Sequence, residues 1–167
     1  MELWDLYTRD RRLTGETHIR GEKLPLERYH LVVHVWIRNS RGEWLISQRA
    51  ASRPTFPLMW ESVGGNVTAG EDSLTGAIRE AKEEVGVDLD PANGRMVSTT
   101  VREHFQDIKD DWLFLYDGET NLQNATTDEV AQMRWMTVPA IRNLYDAGEL
   151  VHTLAYFFDD PELGGKQ

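Results

Sequence analysis

The twenty residues from Glu71 to Asp90 constrain this chain more than any other stretch. They carry seven acids (Glu71, Asp72, Glu80, Glu83, Glu84, Asp88 and Asp90) against two bases, Arg79 and Lys82. Yet Leu74, Ile78, Ala81 and Val85 recur at intervals of four, three and four residues, which is the period of one helix face. The spacing predicts a helix from Glu71 or Asp72 to Val85, closed by Gly86, since glycine readily takes the left-handed conformation that follows a helix. Advancing about 100° per residue from Glu80 places Glu84 near 40° and Glu83 near 300°, while the apolar four fall between roughly 100° and 160°. Three carboxylates thus project together beside the packed stripe. Like charges four residues apart weaken a helix, and two bases relieve only part of that repulsion. A block of this kind is ordinarily a solvated face. Its place at the edge of the stripe also suits a set of hard oxygen ligands for Mg²⁺ or Mn²⁺, facing a cleft while the stripe holds the helix rigid.

Around this helix the chain reads mostly as strand. Leu3 to Tyr7 is a short one, followed by a polar, basic stretch through Arg9, Arg11 and Arg12 to Gly15. Tyr29 to Arg38 alternates Leu31, Val33, Val35 and Ile37 with His30, Val32, His34 and Trp36, and apolar residues on both sides indicate a central strand covered on both faces. Asn39-Ser40-Arg41-Gly42 is a tight turn into a hairpin partner, Glu43 to Gln48. Arg49 to Met59 is a loop, Trp60 to Val63 a short strand, and Gly64-Gly65 a break ahead of the helix. Further strands are expected at Arg95 to Glu103, Asp111 to Tyr116 and Gln132 to Met136. A short helix follows to Asp146, with Pro139 in its first turn, and then an amphipathic segment, Glu149 to Phe158, that packs Leu150, Leu154 and Phe157 or Phe158. Strands on both sides of one strong helix, with more helix at the end, give an α/β fold. With 167 residues and no interdomain linker, residues 1–167 read as a single domain whose tail frays after 160.

Composition narrows the chemistry. Cysteine is absent, which excludes disulfides, thiolate metal sites and a cysteine nucleophile. The net charge of -10 argues against an extended nucleic-acid surface, which would need clustered lysine and arginine. The apolar run Leu31 to Ile37 is too short to span a bilayer, and no basic-then-apolar leader opens the chain, so a soluble, cytoplasmic protein without membrane partners is expected.

Five residues separate Gly65 from Glu71, seven more precede Arg79-Glu80, and Ala81-Lys82-Glu83-Glu84-Val85-Gly86-Val87 follows. This pattern resembles the complete Nudix box, the loop-helix-loop motif of the Nudix hydrolases, with no departure at a defining position. The resemblance implies an α/β/α sandwich with a mixed central sheet and hydrolysis of a diphosphate joined to another group, with Mg²⁺ or else Mn²⁺. It implies Glu80, Glu83 and Glu84 as metal-binding carboxylates and Arg79 as the residue that orients them by pairing with Glu71. Gly65 and Gly86 would permit the two loop turns. Diphosphate cleavage needs its oxygens neutralised and a water made nucleophilic, and a metal supplies both. One of the three glutamates could take the water's proton. Glu103, Asp128 and Glu129 are candidates for a further ligand or base. By analogy a homodimer is also implied.

Glu27-Arg28-Tyr29-His30-Leu31-Val32-Val33-His34-Val35-Trp36, with Trp60 and Leu3-Trp4-Asp5-Leu6-Tyr7, resembles the branch that contains isopentenyl diphosphate isomerase. The isomerase uses a cysteine that this chain lacks. It also has cysteine-glycine-histidine where this chain has Gly64-Gly65-Asn66, so isomerisation is disfavoured. His30 could be a relic of that metal site. His34 lies on the same strand face, but four strand residues span about 13 Å, so both read as core or pocket histidines. Arg28, Arg49 and Arg53 are candidate phosphate contacts. Trp36, Trp60, Phe105 and Trp112 are candidates to stack on a base or an apolar group. Nucleoside diphosphate derivatives and other organic diphosphates are all open as substrates. The alternative to an enzyme is a noncatalytic nucleotide or diphosphate sensor on the same fold.

Overall fold

The computed structural model describes residues 1–165. Strands β1 (Leu3–Tyr7) and β2 (Leu13–Ile19) pair antiparallel as a two-stranded ribbon. The main sheet holds β3 (His30–Arg38), β4 (Trp44–Arg49), β5 (Trp60–Glu61), β6 (Val63–Asn66), β7 (Gly94–Arg102), β8 (Asp107–Leu115) and β9 (Val130–Met136). Helix α1 (Ser73–Val85) sits between β6 and β7, and α2 (Val138–Asp146) follows β9, ahead of a 3₁₀ segment, His152–Phe158. Among the described residues no helix is long and apolar enough to cross a membrane.

Strand β3 is the centre of this arrangement. It runs parallel to β8 over its whole length, from His30 beside Asp107 to Arg38 beside Leu115, and antiparallel to β6 on its other edge. The sheet is therefore mixed, as expected. On one face, Leu31, Val33, Val35 and Ile37 join Ala77, Ala81 and Val85 of α1 in one core. On the other, Trp36 joins Trp44, Ile141 of α2, Leu154 and Phe157 in a second core. Trp36 stacks on Phe157 with ring centroids 4.5 Å apart, and Trp44 meets the same ring edge-on. Helix on one face and helix with 3₁₀ segment on the other make an α/β/α sandwich. The second core stops at Trp36; beyond it His30, Val32 and His34 on the same face line a cleft, with Tyr156 of the 3₁₀ segment against His34.

The sequence misreads five features here. The turn at Asn39–Gly42 exists, with Asn39 Oδ1 accepting from the N–H groups of Arg41 and Glu43. The hairpin beyond it is confined to the Arg38–Trp44 pair, because β4 then runs along β9. The edge of β3 it would have used is filled by β6, which continues through Gly64 and Gly65 and pairs them with His34 and Val33. Those glycines are sites of close approach and not a break: a Cβ on Gly64 would lie 2.7 Å from the Val33 carbonyl oxygen. Strand β8 begins at Asp107, four residues before the expected start, because Asp107, Lys109 and Asp111 are polar yet buried. Strand β2 is missed within the polar N-terminal stretch. At the other end, Leu163 is buried and the Gly164 N–H donates to the Phe157 carbonyl, so packing persists past residue 160 where fraying is expected. Lys166 and Gln167 lie outside the described residues.

The ends of α1 follow local rules. Asp72 caps it by accepting from the Thr75 N–H, which moves the start to Ser73. Gly86 closes it at φ 70°, with its N–H donated to the Ala81 and Lys82 carbonyls. A side chain there would meet both the left-handed backbone and the Asn124 carbonyl carbon, 2.6 Å from the new Cβ. Gly86→Ala should therefore lower the unfolding free energy by at least about 1–2 kcal/mol, read from urea denaturation. An unchanged midpoint would show that the loop at Asn124 yields freely.

Candidate active site

Small residues set the depth of α1. Gly76, Ala77 and Ala81 face the sheet, and a Cβ on Gly76 would sit 3.0 Å from Val67. The helix therefore packs closely, and its buried face is rotated from the one that the apolar period indicates. Leu74 and Ile78 are only half-buried, whereas Glu80 and Glu84 are buried together with Ala77, Ala81 and Val85. The carboxylates expected beside the packed face are partly on it.

Arg79 organises the outer part of this cluster. Its guanidinium holds Glu71 with two bonds, 2.8 and 3.0 Å, and also reaches Glu80 at 2.9 Å, Glu83 at 3.0 Å and the Asn66 carbonyl at 2.9 Å. The pairing with Glu71 is the one that the sequence suggests. Burial pushes the Glu71 carboxyl up, but Arg79 and Thr68 outweigh it and leave it below the ordinary range.

Glu80 and Glu84 lack comparable compensation. Burial, aided by Glu83 and Glu129, raises Glu80 to about 7 against the pull of Arg79. Glu84, 5% exposed, is pushed well above the carboxylate range by burial and then by Glu61 and Glu80. The Gly64 N–H, donated to it at 3.3 Å, is a weak counterweight. A cavity of about 200 Å³ opens here, lined by Glu80, Glu83, Glu84 and Glu129 with Arg53 and Arg79. Among the described residues no three acids or histidines already form a metal cage. The expected convergence of Glu80, Glu83 and Glu84 is thus incomplete, because Arg79 bridges Glu80 and Glu83.

A cleft of about 640 Å³ adjoins this cavity, and both share Gly64, Gly65 and Asn66 in their walls. No side chain from the two glycines stands between them. Trp4 stacks on His30 at 4.0 Å, and Phe56, Phe105, His152 and Arg102 line the cleft further out. His30 is lowered to about 4 by burial and packs against Trp4, with its Nδ1 unpaired among the described residues.

The three arginines expected at phosphate separate. Arg53 lines the carboxylate cavity and pairs with Glu129 at 2.9 Å; Arg49 lines the cleft and pairs with Glu61 at 2.6 Å. Arg28 reaches neither, because strand β2 brings Glu16 to it at 2.6 Å. Of the further candidate acids, Glu129 reaches the cavity and Asp128 does not, while Glu103 is held away by Arg9 and the Tyr29 hydroxyl. Trp36 and Trp60 belong to the core and Trp112 donates to Ser73, leaving Phe105 as the member of that aromatic set on the cleft. Sequence reasoning passes over Glu61, Trp4, Phe56 and Arg102. Glu61 alone carried a local signal, an acid inside a strand next to Gly64-Gly65.

Comparison with known proteins identifies the family and the fold. Residues 28–157 match the NUDIX domain. An uncharacterized Nudix hydrolase of Listeria innocua is 40% identical over 95% of this chain and 91% of its own. The crystal structure of DR0079 from Deinococcus radiodurans has the same fold, with a TM-score of 0.70 and 25% identity over 90% of this chain and 92% of that one. The isopentenyl-diphosphate Delta-isomerase of Escherichia coli is 35% identical, but only over 38% of this chain and 36% of its own. That local likeness, in a chain with no cysteine, matches the branch seen in the sequence. With the domain matched over most of its length and a relative alike from end to end, the chain belongs to the Nudix hydrolase family, enzymes that hydrolyse phosphoanhydride bonds.

Proposed function

We propose that this protein hydrolyses the diphosphate linkage of a nucleoside diphosphate derivative or a related organic diphosphate, with Mg²⁺ as its metal and Mn²⁺ as a substitute. The observation that carries the reading is the pair of buried carboxylates, Glu80 and Glu84, that share a cavity wall without enough positive charge. Buried like charges disfavour ionisation unless a cation joins them. A donor set made only of carboxylate oxygens fits a hard divalent ion, so Glu80, Glu83 and Glu84 are the residues proposed to hold it. When bound, such an ion neutralises diphosphate oxygens and lowers the pKa of a coordinated water.

The remaining work falls to the chain itself. Arg79, anchored on Glu71, keeps Glu80 and Glu83 on the cavity side of α1. Arg53 supplies positive charge in the carboxylate cavity and Arg49 in the cleft, each able to turn from its glutamate to a phosphate oxygen. The attacking water forms one P–O bond as the bridging P–O bond breaks, and its proton passes to a carboxylate. The carboxylates that line the cavity, Glu80, Glu83, Glu84 and Glu129, are the groups positioned to receive it.

Glu84→Gln should lower kcat by about a hundredfold or more in a phosphate-release assay on organic diphosphates with Mg²⁺, with the circular dichroism of the parent retained. Parent-like turnover would remove Glu84 from the site.

Linkage supplies a second expectation. A carboxylate raised from 4.5 to about 7 binds its proton more tightly in the folded state. Metal-free stability therefore falls as pH rises from the ordinary carboxylate range through about 7. Mg²⁺ should raise Tm more at about pH 8 than at about pH 5.5, because only the ionised carboxylates bind it. The Glu83→Gln, Glu84→Gln double variant should lose most of that increment in paired melts with chelator and with Mg²⁺. An increment that survives intact would move the metal to Glu61 and Glu129.

A further inference from the structure

A chain of hydrogen bonds under the cleft leads to His34. Asp111, fully buried on β8, receives Lys109 Nζ and Ser98 Oγ, each at 2.6 Å, on Oδ2. Its Oδ1 receives the Tyr156 hydroxyl at 2.6 Å. A carboxylate paired with lysine only accepts, so Tyr156 spends its single proton on Asp111. The Tyr156 oxygen must then accept from its other two neighbours, Trp36 Nε1 at 3.2 Å and His34 Nδ1 at 2.7 Å. Trp36 can only donate, and by the same logic His34 carries its proton on Nδ1.

That assignment determines what His34 shows to the cleft. Burial, reinforced by Lys109, lowers its pKa to about 3, so the ring is neutral near pH 7 and Nε2 bears a lone pair. His34 lines the cleft, and its Cδ2, bonded to Nε2, faces Gly64: a Cβ built there would be 3.4 Å away. No hydrogen bond from a described residue reaches Nε2. The ring thus stands in the cleft beside Gly64, a residue whose backbone the cleft and the carboxylate cavity share as wall.

We propose that His34 is a specificity-determining residue, an acceptor locked by Tyr156, that takes a hydrogen bond from a hydroxyl or amino group of the substrate's organic moiety. The inference rests on the diphosphatase reading for its substrate and narrows it to organic groups carrying a donor close to the diphosphate, as a ribose does. Tyr156 acts as a positioning residue by holding the tautomer. A diphosphate on a plain hydrocarbon chain leaves Nε2 desolvated and unpaired, which disfavours it.

Two measurements test this. Imidazole ¹⁵N shifts of the free protein should show a protonated Nδ1 and a bare Nε2 at His34, a pattern that Tyr156→Phe should blur; a protonated Nε2 overturns the proposal. His34→Asn keeps a donor for Tyr156 but removes the acceptor, and His34→Gln restores an amide oxygen near the Nε2 position. The kcat/KM preference for uridine diphosphate over dimethylallyl diphosphate should fall about tenfold in His34→Asn, carried by KM, the order expected for one buried hydrogen bond. His34→Gln should recover most of it. An unchanged preference, or equal losses on both probes, overturns the assignment. Should the parent cleave neither probe, calorimetry with uridine diphosphate separates the two readings. Binding weakened about tenfold by His34→Asn would uphold His34 while the hydrolysis reading fell, and equal or absent binding would overturn His34 as well.

Discussion

The close seating of α1 against β6 is the contact on which the site depends. It is made by small residues: Gly65 on the strand and Ala77 and Ala81 on the helix let the two approach, while Gly76 admits Val67 just beyond β6. A Cβ on Gly65 would lie 2.3 Å from the Glu80 carboxyl, so the strand backbone and that carboxylate share one small space. Helices normally keep glutamate in water. Here the depth of packing draws Glu80 and Glu84 below the surface, and burial then raises their basicity. The electrostatic character of the site is thus a consequence of packing.

The opposite face of the sheet uses charge in another way. Asp107 is held by two bonds from Arg102, and Asp111 by Lys109 and Tyr156. Each buried acid has a dedicated cation, in contrast to Glu84. Paired charges of this kind add little net stability, since desolvation offsets much of the attraction, but removing one partner is costly. Their effect is to hold polar side chains of β8 in single orientations beneath the cleft and to tie Tyr156 of the 3₁₀ segment to the sheet.

The two faces meet at Gly64 and Gly65. Carboxylates with unmet charge lie on one side, and neutral imidazoles, aromatic rings and a fixed guanidinium on the other. Such a division suits a substrate with an anionic centre and an organic extension. The glycines pass no side chain into the junction, so both parts can be occupied by one molecule.

The sequence by itself determined α1, its stop at Gly86 and the order Arg79, Glu80, Glu83, Glu84, because these rest on contacts within a few residues: a helical period and a left-handed glycine. It also determined that β3 is central, since apolar residues on both sides of one strand admit no other place. Tertiary structure decided the rest. The charged start of β8 reads as loop until Arg11 arrives from 99 residues away, Arg102 from the end of β7 and Lys109 from within the strand to pair its acids. Arg28 reads as a phosphate contact until β2 brings Glu16 beside it. Glu61 enters the site only because β5 lies beside β4 and Arg49, and the proton on His34 is placed by Asp111 and Tyr156, 77 and 122 residues away. Local spacing states which groups a helix carries. Which of them lose water, and which partner each receives, is set by non-local packing.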